Sequence, residues 1–120
     1  MHTDTLTLSM QRKIIGGYIN AEEVAQHYDA SKILDYELQE EWFTLPFHRL
    51  VVRAINHIKS LGQAVSDISL LSILQRYGQI KNIKDEQEYN LLQSECFVTY
   101  NSFMTYVMMI KKNRIARVTL

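Results

Sequence analysis

Four histidines, one cysteine and thirteen carboxylate side chains are the residues on which chemistry could rest in this chain. A metal held on a helix face needs two imidazoles about one turn apart, and no H-x-x-x-H pair occurs. His2 and His27 stand alone, while His48 and His57 are nine residues apart, a spacing that rotates them to different parts of one helix. All four read as surface histidines. Glu22-Glu23 and Glu40-Glu41 are adjacent pairs, so on a helix each diverges instead of converging as an acid and a base must. Cys96 follows Glu95, whose negative charge disfavours the thiolate a reactive cysteine needs. Gly16-Gly17 is followed by Tyr18-Ile19, with neither the lysine nor the serine or threonine that would hold phosphate and magnesium. Neither G-x-x-x-x-G-K-[ST] nor G-x-G-x-x-G is found elsewhere. No nucleotide hydrolysis, metal or cofactor is expected. A convergence of Asp35, Glu41 and His48 is the remaining enzymatic arrangement, and their spacing does not call for it.

Lys111, Lys112, Arg114 and Arg117 form the one dense basic group. It reads either as a solvated helix end or as a weak contact for the phosphates of single-stranded DNA, whose affinity would fall steeply with salt. Thirteen basic residues balance thirteen acidic ones, so no global field draws the chain to nucleic acid or anionic lipid. With 47% hydrophobic and 22% charged residues the composition is that of one globular domain. A single cysteine excludes an internal disulfide and fits a cytoplasmic setting. Residues 1–10 have no apolar core of the secretory kind, and Phe103 to Ile110 is far shorter than the roughly 20 residues of a membrane span.

The elements behind these residues are helical. From Pro46 to Leu61, Phe47, Leu50, Val51, Ala54, Ile55, Ile58 and Leu61 recur at three- and four-residue steps, with His48, Arg49 and Arg53 mostly off the stripe. Pro46 suits the first turn and Gly62 the C-terminal stop. A second helix, capped by Ser66 or Ser69 and stopped by Gly78, should bury Leu70, Leu71, Leu74 and Tyr77. Ser9–Ile19 reads as helix through Met10, Ile14, Ile15 and Tyr18. Its Gly16-Gly17 pair costs about 1 kcal/mol per glycine and so implies a closely packed neighbour. Ala21–Tyr28, Ser31–Tyr36 and Asp85–Ser94 read as shorter helices, the first with Glu22 and Glu23 in its opening turn. Thr5–Ser9 and Glu95–Tyr100 are weak strand alternatives without an obvious partner. The chain divides into an N-terminal arm, 1–8, a globular helical domain, 9–100, and a C-terminal helix, 101–120.

That last helix, about Ser102 to Val118, carries only Thr105 as a polar residue between Phe103 and Ile110. A helix packed by one face should show a polar opposite face. Either it is a central core helix, or Phe103, Met104, Tyr106, Val107, Met108 and Ile110 include a second face that meets another subunit. On the second reading Val107→Asp or Met108→Asp should break self-association.

Several segments occur in an order that resembles the N-terminal domain of the bacterial DnaB-type replicative helicases. They are Ile14-Ile15-Gly16-Gly17-Tyr18-Ile19-Asn20; Glu41-Trp42-Phe43-Thr44-Leu45-Pro46-Phe47-His48-Arg49; Gly62-Gln63-Ala64-Val65-Ser66-Asp67; and Arg76-Tyr77-Gly78-Gln79-Ile80. Gly16, Gly17, Phe43, Pro46, His48, Arg49, Gly62 and Gly78 are the motif positions. Ala64 and Ser66 depart from the family's proline and aspartate, the stretch 21–44 is long, and a glycine pair after Gly78 is missing. These departures suit a divergent member from a phage, plasmid or mobile element. The resemblance implies an all-α fold: a compact orthogonal bundle of about six helices that ends, at Leu120, in the first arm of a helical hairpin. It further implies a non-catalytic domain that forms dimers and a hexameric collar, docks primase or a loader during DNA replication, and leaves ATP hydrolysis to a separate motor domain. The helicase-binding domain of bacterial primase resembles the same fold, which makes a stand-alone helicase-interacting protein the alternative.

Overall fold

The glycine pair does not interrupt the first helix. In the computed structural model α1 runs unbroken over His2–Val24, with Gly16 and Gly17 buried inside it. The structure describes residues 2–24, 29–94 and 99–119, with side chains placed over 8–21, 32–94 and 99–112. Four more α-helices follow: α2 at Pro46–Ser60, α3 at Asp67–Arg76, α4 at Ile83–Ser94 and α5 at Tyr100–Thr119. Short 3-10 turns occupy Asp29–Asp35 and Glu40–Trp42, and no strand occurs among the described residues.

Over the described residues the fold is all-helical, with five α-helices where about six were expected. Residues 2–8, expected as an arm, are the opening turns of α1. Thr5–Ser9 is therefore helix and not strand. Residues 21–24 close α1 instead of starting a new helix, which puts Glu22 and Glu23 in a last turn and not a first. Residues 25–28 and 95–98, including His27 and Cys96, lie outside the described residues. The segment expected as a helix at Ser31–Tyr36 is the tighter 3-10 turn.

The helix ends follow local chemistry closely. Ser66 caps α3: its Oγ accepts from Ser69 N at 3.2 Å, and Ser69 Oγ accepts from Ser66 N at 3.0 Å. This reciprocal box satisfies two of the backbone donors a helix start leaves free. Gly62 and Gly78 both sit in the left-handed region, at φ 72° and 63°. Each closes its helix with the same pair of bonds. Gly62 N and Gln63 N reach Lys59 O and Ile58 O at 2.9 and 3.2 Å; Gly78 N and Gln79 N reach Gln75 O and Leu74 O at 3.1 and 2.9 Å. That turn swings the preceding side chain off the helix stripe. Leu61 and Tyr77, both expected in the core, are 55% and 63% exposed for this reason.

One core runs through the molecule. It takes Ile14, Ile15 and Tyr18 from α1, Val51, Ile55 and Ile58 from α2, Leu70 and Leu74 from α3, and Leu92 from α4. α1 packs against α4, α5 and the first 3-10 turn, while α2 packs against α3. The polar stripe of α2 also works inward. Arg49 Nε donates to Phe43 O at 2.9 Å, Asn56 Nδ2 to Leu38 O at 3.0 Å, and Lys59 Nζ to Leu34 O at 3.0 Å. These bonds stitch the irregular stretch 34–43 to the helix and satisfy carbonyls that no helix ladder serves.

Candidate functional site

The motif helix α2 begins at Pro46, whose missing N–H would have had no partner in a first turn. Two residues on stands His48, which is fully buried, against the expectation of a surface histidine. It lies three, four and seven residues before Val51, Val52 and Ile55, so it belongs to the apolar stripe. Its Nε2–H donates to Glu88 Oε2 at 2.7 Å, and its ring meets Phe43 edge-on at 6.4 Å. Nδ1 has no partner among the described residues. The same carboxylate accepts two bonds from Arg12, Nε to Oε2 at 2.7 Å and Nη2 to Oε1 at 2.8 Å. One carboxylate from α4 thus joins α1 and α2.

The electrostatics explain why the arrangement persists. Burial holds the His48 imidazole below its ordinary value, against the opposing pull of Glu88. Burial alone would raise the Glu88 carboxyl, but the hydrogen bonds from Arg12 and His48 outweigh it and keep Glu88 below the usual carboxylate range. A neutral imidazole donating to an anchored carboxylate is oriented, and the ring itself is fully buried. The network is a structural junction. Asp35 and Glu41 are exposed, and His48 takes Glu88 as its partner instead.

Sequence reasoning missed Arg12 and Glu88. The signal was present: Glu88 falls with Asp85, Tyr89 and Leu92 on the inward stripe of α4. A charge on such a stripe must find a partner. Asn20 is a further buried polar residue, its Nδ2 donating to Gly16 O at 2.9 Å and to Gln93 O at 3.0 Å. It ties the glycine segment to the end of α4.

On α5 the six expected interface residues separate into two groups. Phe103, Val107 and Ile110 are wholly buried in this chain's own core, at the spacing of one helix stripe. Met104 and Tyr106 pack partly against that core. The α5 apolar run is therefore satisfied largely from within, because the helix lies against α1 and both 3-10 turns. Met108 alone of the six is exposed, at 66%, joined by Met109 at 46%.

The basic group divides as well. Lys111 Nζ donates to Tyr36 Oη at 3.0 Å and lies 5.2 Å from the centroid of the Trp42 ring. It covers an aromatic cluster in which Tyr36 meets Phe103 edge-on at 6.0 Å. Lys112 is exposed, and the side chains of Arg114 and Arg117 lie outside the described residues. Among the described residues no three His, Cys, Asp or Glu side chains are grouped to hold a metal ion, and no helix is long and apolar enough to cross a membrane.

The family model of the DnaB-like helicase N-terminal domain matches residues 10–112, from within α1 to within α5. The chain belongs to that family. The match takes in every motif segment, including the buried His48 and both left-handed glycines. No curated protein and no solved structure matches. Membership in the DnaB-like helicase family gives this chain the role of a helicase N-terminal domain, which is non-catalytic.

Proposed function

We propose that this chain is the collar module of an ATP-dependent replicative DNA helicase in the cytoplasm. It associates with further copies of itself and presents a docking platform for primase or a helicase loader. The observation that carries the reading is the outer face of α5. Met108 and Met109 stand exposed on a helix whose inner face is filled by Phe103, Val107 and Ile110. Methionines at a solvent face serve as adaptable contacts. DNA binding is secondary, since Lys111 is engaged with Tyr36 and Trp42.

The test is the mass of the chain by light scattering over a concentration series, wild type against Met108→Asp. Self-association in the wild type that the variant loses supports the reading. A strict monomer that binds an intact helicase collar overturns it in favour of a primase-side or stand-alone partner.

A further inference from the structure

A cavity of about 420 Å³ opens where residues of α1, the start of α3 and the end of α4 meet. Ile19 and Val65 give it apolar walls, and Asn20, Asp67 and Gln93 bring polar groups to it. Ile68, also on its lining, is 81% exposed. The side-chain donors here are turned into the protein. Asn20 is only 7% exposed, and its Nδ2 is spent on Gly16 O and Gln93 O at 2.9 and 3.0 Å. Gln93 Nε2 donates to Asp67 Oδ2 at 3.0 Å, and Tyr89 Oη donates to Asp67 Oδ1 at 2.5 Å. Ser66 Oγ, beside them, donates to Ser69 Oγ at 3.1 Å. Because two carbonyls and a carboxylate face the amide nitrogens, neither amide can be turned end for end.

What these bonds leave over is oxygen. Asn20 Oδ1 and Gln93 Oε1 have no partner among the described residues, and neither is sealed from solvent. The Asp67 carboxylate keeps lone pairs beyond those that meet Tyr89 and Gln93. It makes no ion pair among the described residues. Its place in the first turn of α3 suits a negative charge, and its two neutral donors orient it without neutralising it. The cavity therefore joins a fixed, uncompensated carboxylate and two spare acceptors to walls of hydrocarbon.

We infer that this cavity seats an arginine side chain of a docking partner. The inference rests on the docking role proposed above and names its chemistry. Acceptors without facing side-chain donors select a donor-rich cation, and the apolar walls suit an aliphatic stem. Guanidinium meets both demands: its planar fork serves several oxygens at once, and it sheds water more readily than ammonium. Ile68 points to a protein as the source. A small free cation would fill the cavity and leave this isoleucine in water, whereas a protein segment covers it and shields the buried charge pair.

The experiment is a titration of the full chain, followed by NMR at the side-chain amides of Asn20 and Gln93. The probes are acetyl-Leu-Arg-Leu-amide, the same peptide with lysine or citrulline in place of arginine, and agmatine. The arginine peptide should shift both amides, and neutral citrulline should bind about tenfold more weakly. Asp67→Asn, checked for fold by circular dichroism, should cost about tenfold as well. Ile68→Ala, at an exposed site, should weaken the peptide about threefold and leave agmatine unchanged. Amides unmoved by the arginine peptide, or citrulline bound equally well, overturn the arginine seat and leave docking through another face standing. Agmatine bound as tightly as the peptide overturns the protein source in favour of a free cation. A change in the chain's own mass by light scattering on Asp67→Asn would assign the cation to a second copy and overturn the partner. Docking itself is read separately, from binding of the wild-type chain to purified primase or loader, and its failure leaves the peptide titration unaffected.

Discussion

Replacing Glu88 with alanine tests whether the three-helix junction holds the fold. The carboxylate accepts from Arg12 twice, at 2.7 and 2.8 Å, and from His48 at 2.7 Å. The Arg12 side chain is 26% exposed and that of Glu88 14%, so the bidentate pair is partly screened and contributes about 1–2 kcal/mol. The His48 contribution is of another kind. Its side chain is wholly buried, and Nδ1 already lacks a partner among the described residues. Without Glu88 the Nε2–H is stranded too, at a cost of about 1–3 kcal/mol. The total loss is about 3 kcal/mol, and a chain of 120 residues converts this to a Tm lower by ~12 °C. The assay is thermal and urea unfolding followed by circular dichroism, run as a double-mutant cycle with His48→Phe. Phenylalanine keeps the ring against Phe43 and has no donor to strand. Glu88→Ala should therefore cost about 1–2 kcal/mol less in the His48→Phe background than in the wild type. A loss below about 1 kcal/mol in the single variant, or additive losses in the cycle, would refute the junction.

Three further outcomes are expected. Gly62→Ala and Gly78→Ala should each cost about 1 kcal/mol in urea unfolding, and Gly→Asn less, because both sites are left-handed and an added Cβ meets nothing within 4 Å. Val107→Asp should abolish cooperative unfolding, since it buries an unpaired charge in the core. Met108→Asp should leave Tm within a few degrees, as read by calorimetry. In a pH series, His48 has a folded-state pKa below its ordinary 6.5, so the unfolded chain takes up its proton first. Stability should be full above about pH 6.5, fall as the pH drops below it, and fall further below about 4.5 as the unfolded counterpart of Glu88 protonates. At the alkaline end burial raises the Tyr18 and Tyr89 phenols above 10.0, so stability should decline once the pH passes 10. Flat stability between pH 7 and 4 would contradict the acid limb.

What could be read directly from the chain was local. Pro46, Gly62, Ser66 and Gly78 mark helix ends because each residue's own backbone or hydroxyl does the marking. The structure places them in the first turn of α2, at two left-handed closures and at a capped start. The junction was not legible, because its members are far apart in the chain. Glu88 is 40 residues from His48 and 76 from Arg12. No spacing rule reaches across such distances. The bounds of α1 were hidden differently: the glycine pair was expected inside the helix, as found, but residues 2–8 and 21–24, expected as an arm and as the start of a separate helix, continue α1 at either end. α5 was legible in composition and not in direction. Its apolar run was visible, but which residues faced inward depended on where α1 and the 3-10 turns lay.

The departures from the family pattern look different once their physical roles are known. Ser66, where the resemblance led one to expect aspartate, lies in the turn between α2 and α3. It is the N-cap of α3, and serine and aspartate are close to equal there because either oxygen accepts from a free backbone N–H. Asp67, the next residue, holds Tyr89 and Gln93 from α4. Ala64 replaces proline in a stretch, 63–66, that lies outside any helix, where proline's fixed φ would help but no helical bond depends on it. Ala64 O also accepts from Ser69 Oγ at 3.1 Å, which anchors the turn by another route. The substitutions thus change the residues and keep the function of each position: one capped start, one extended turn, one left-handed stop.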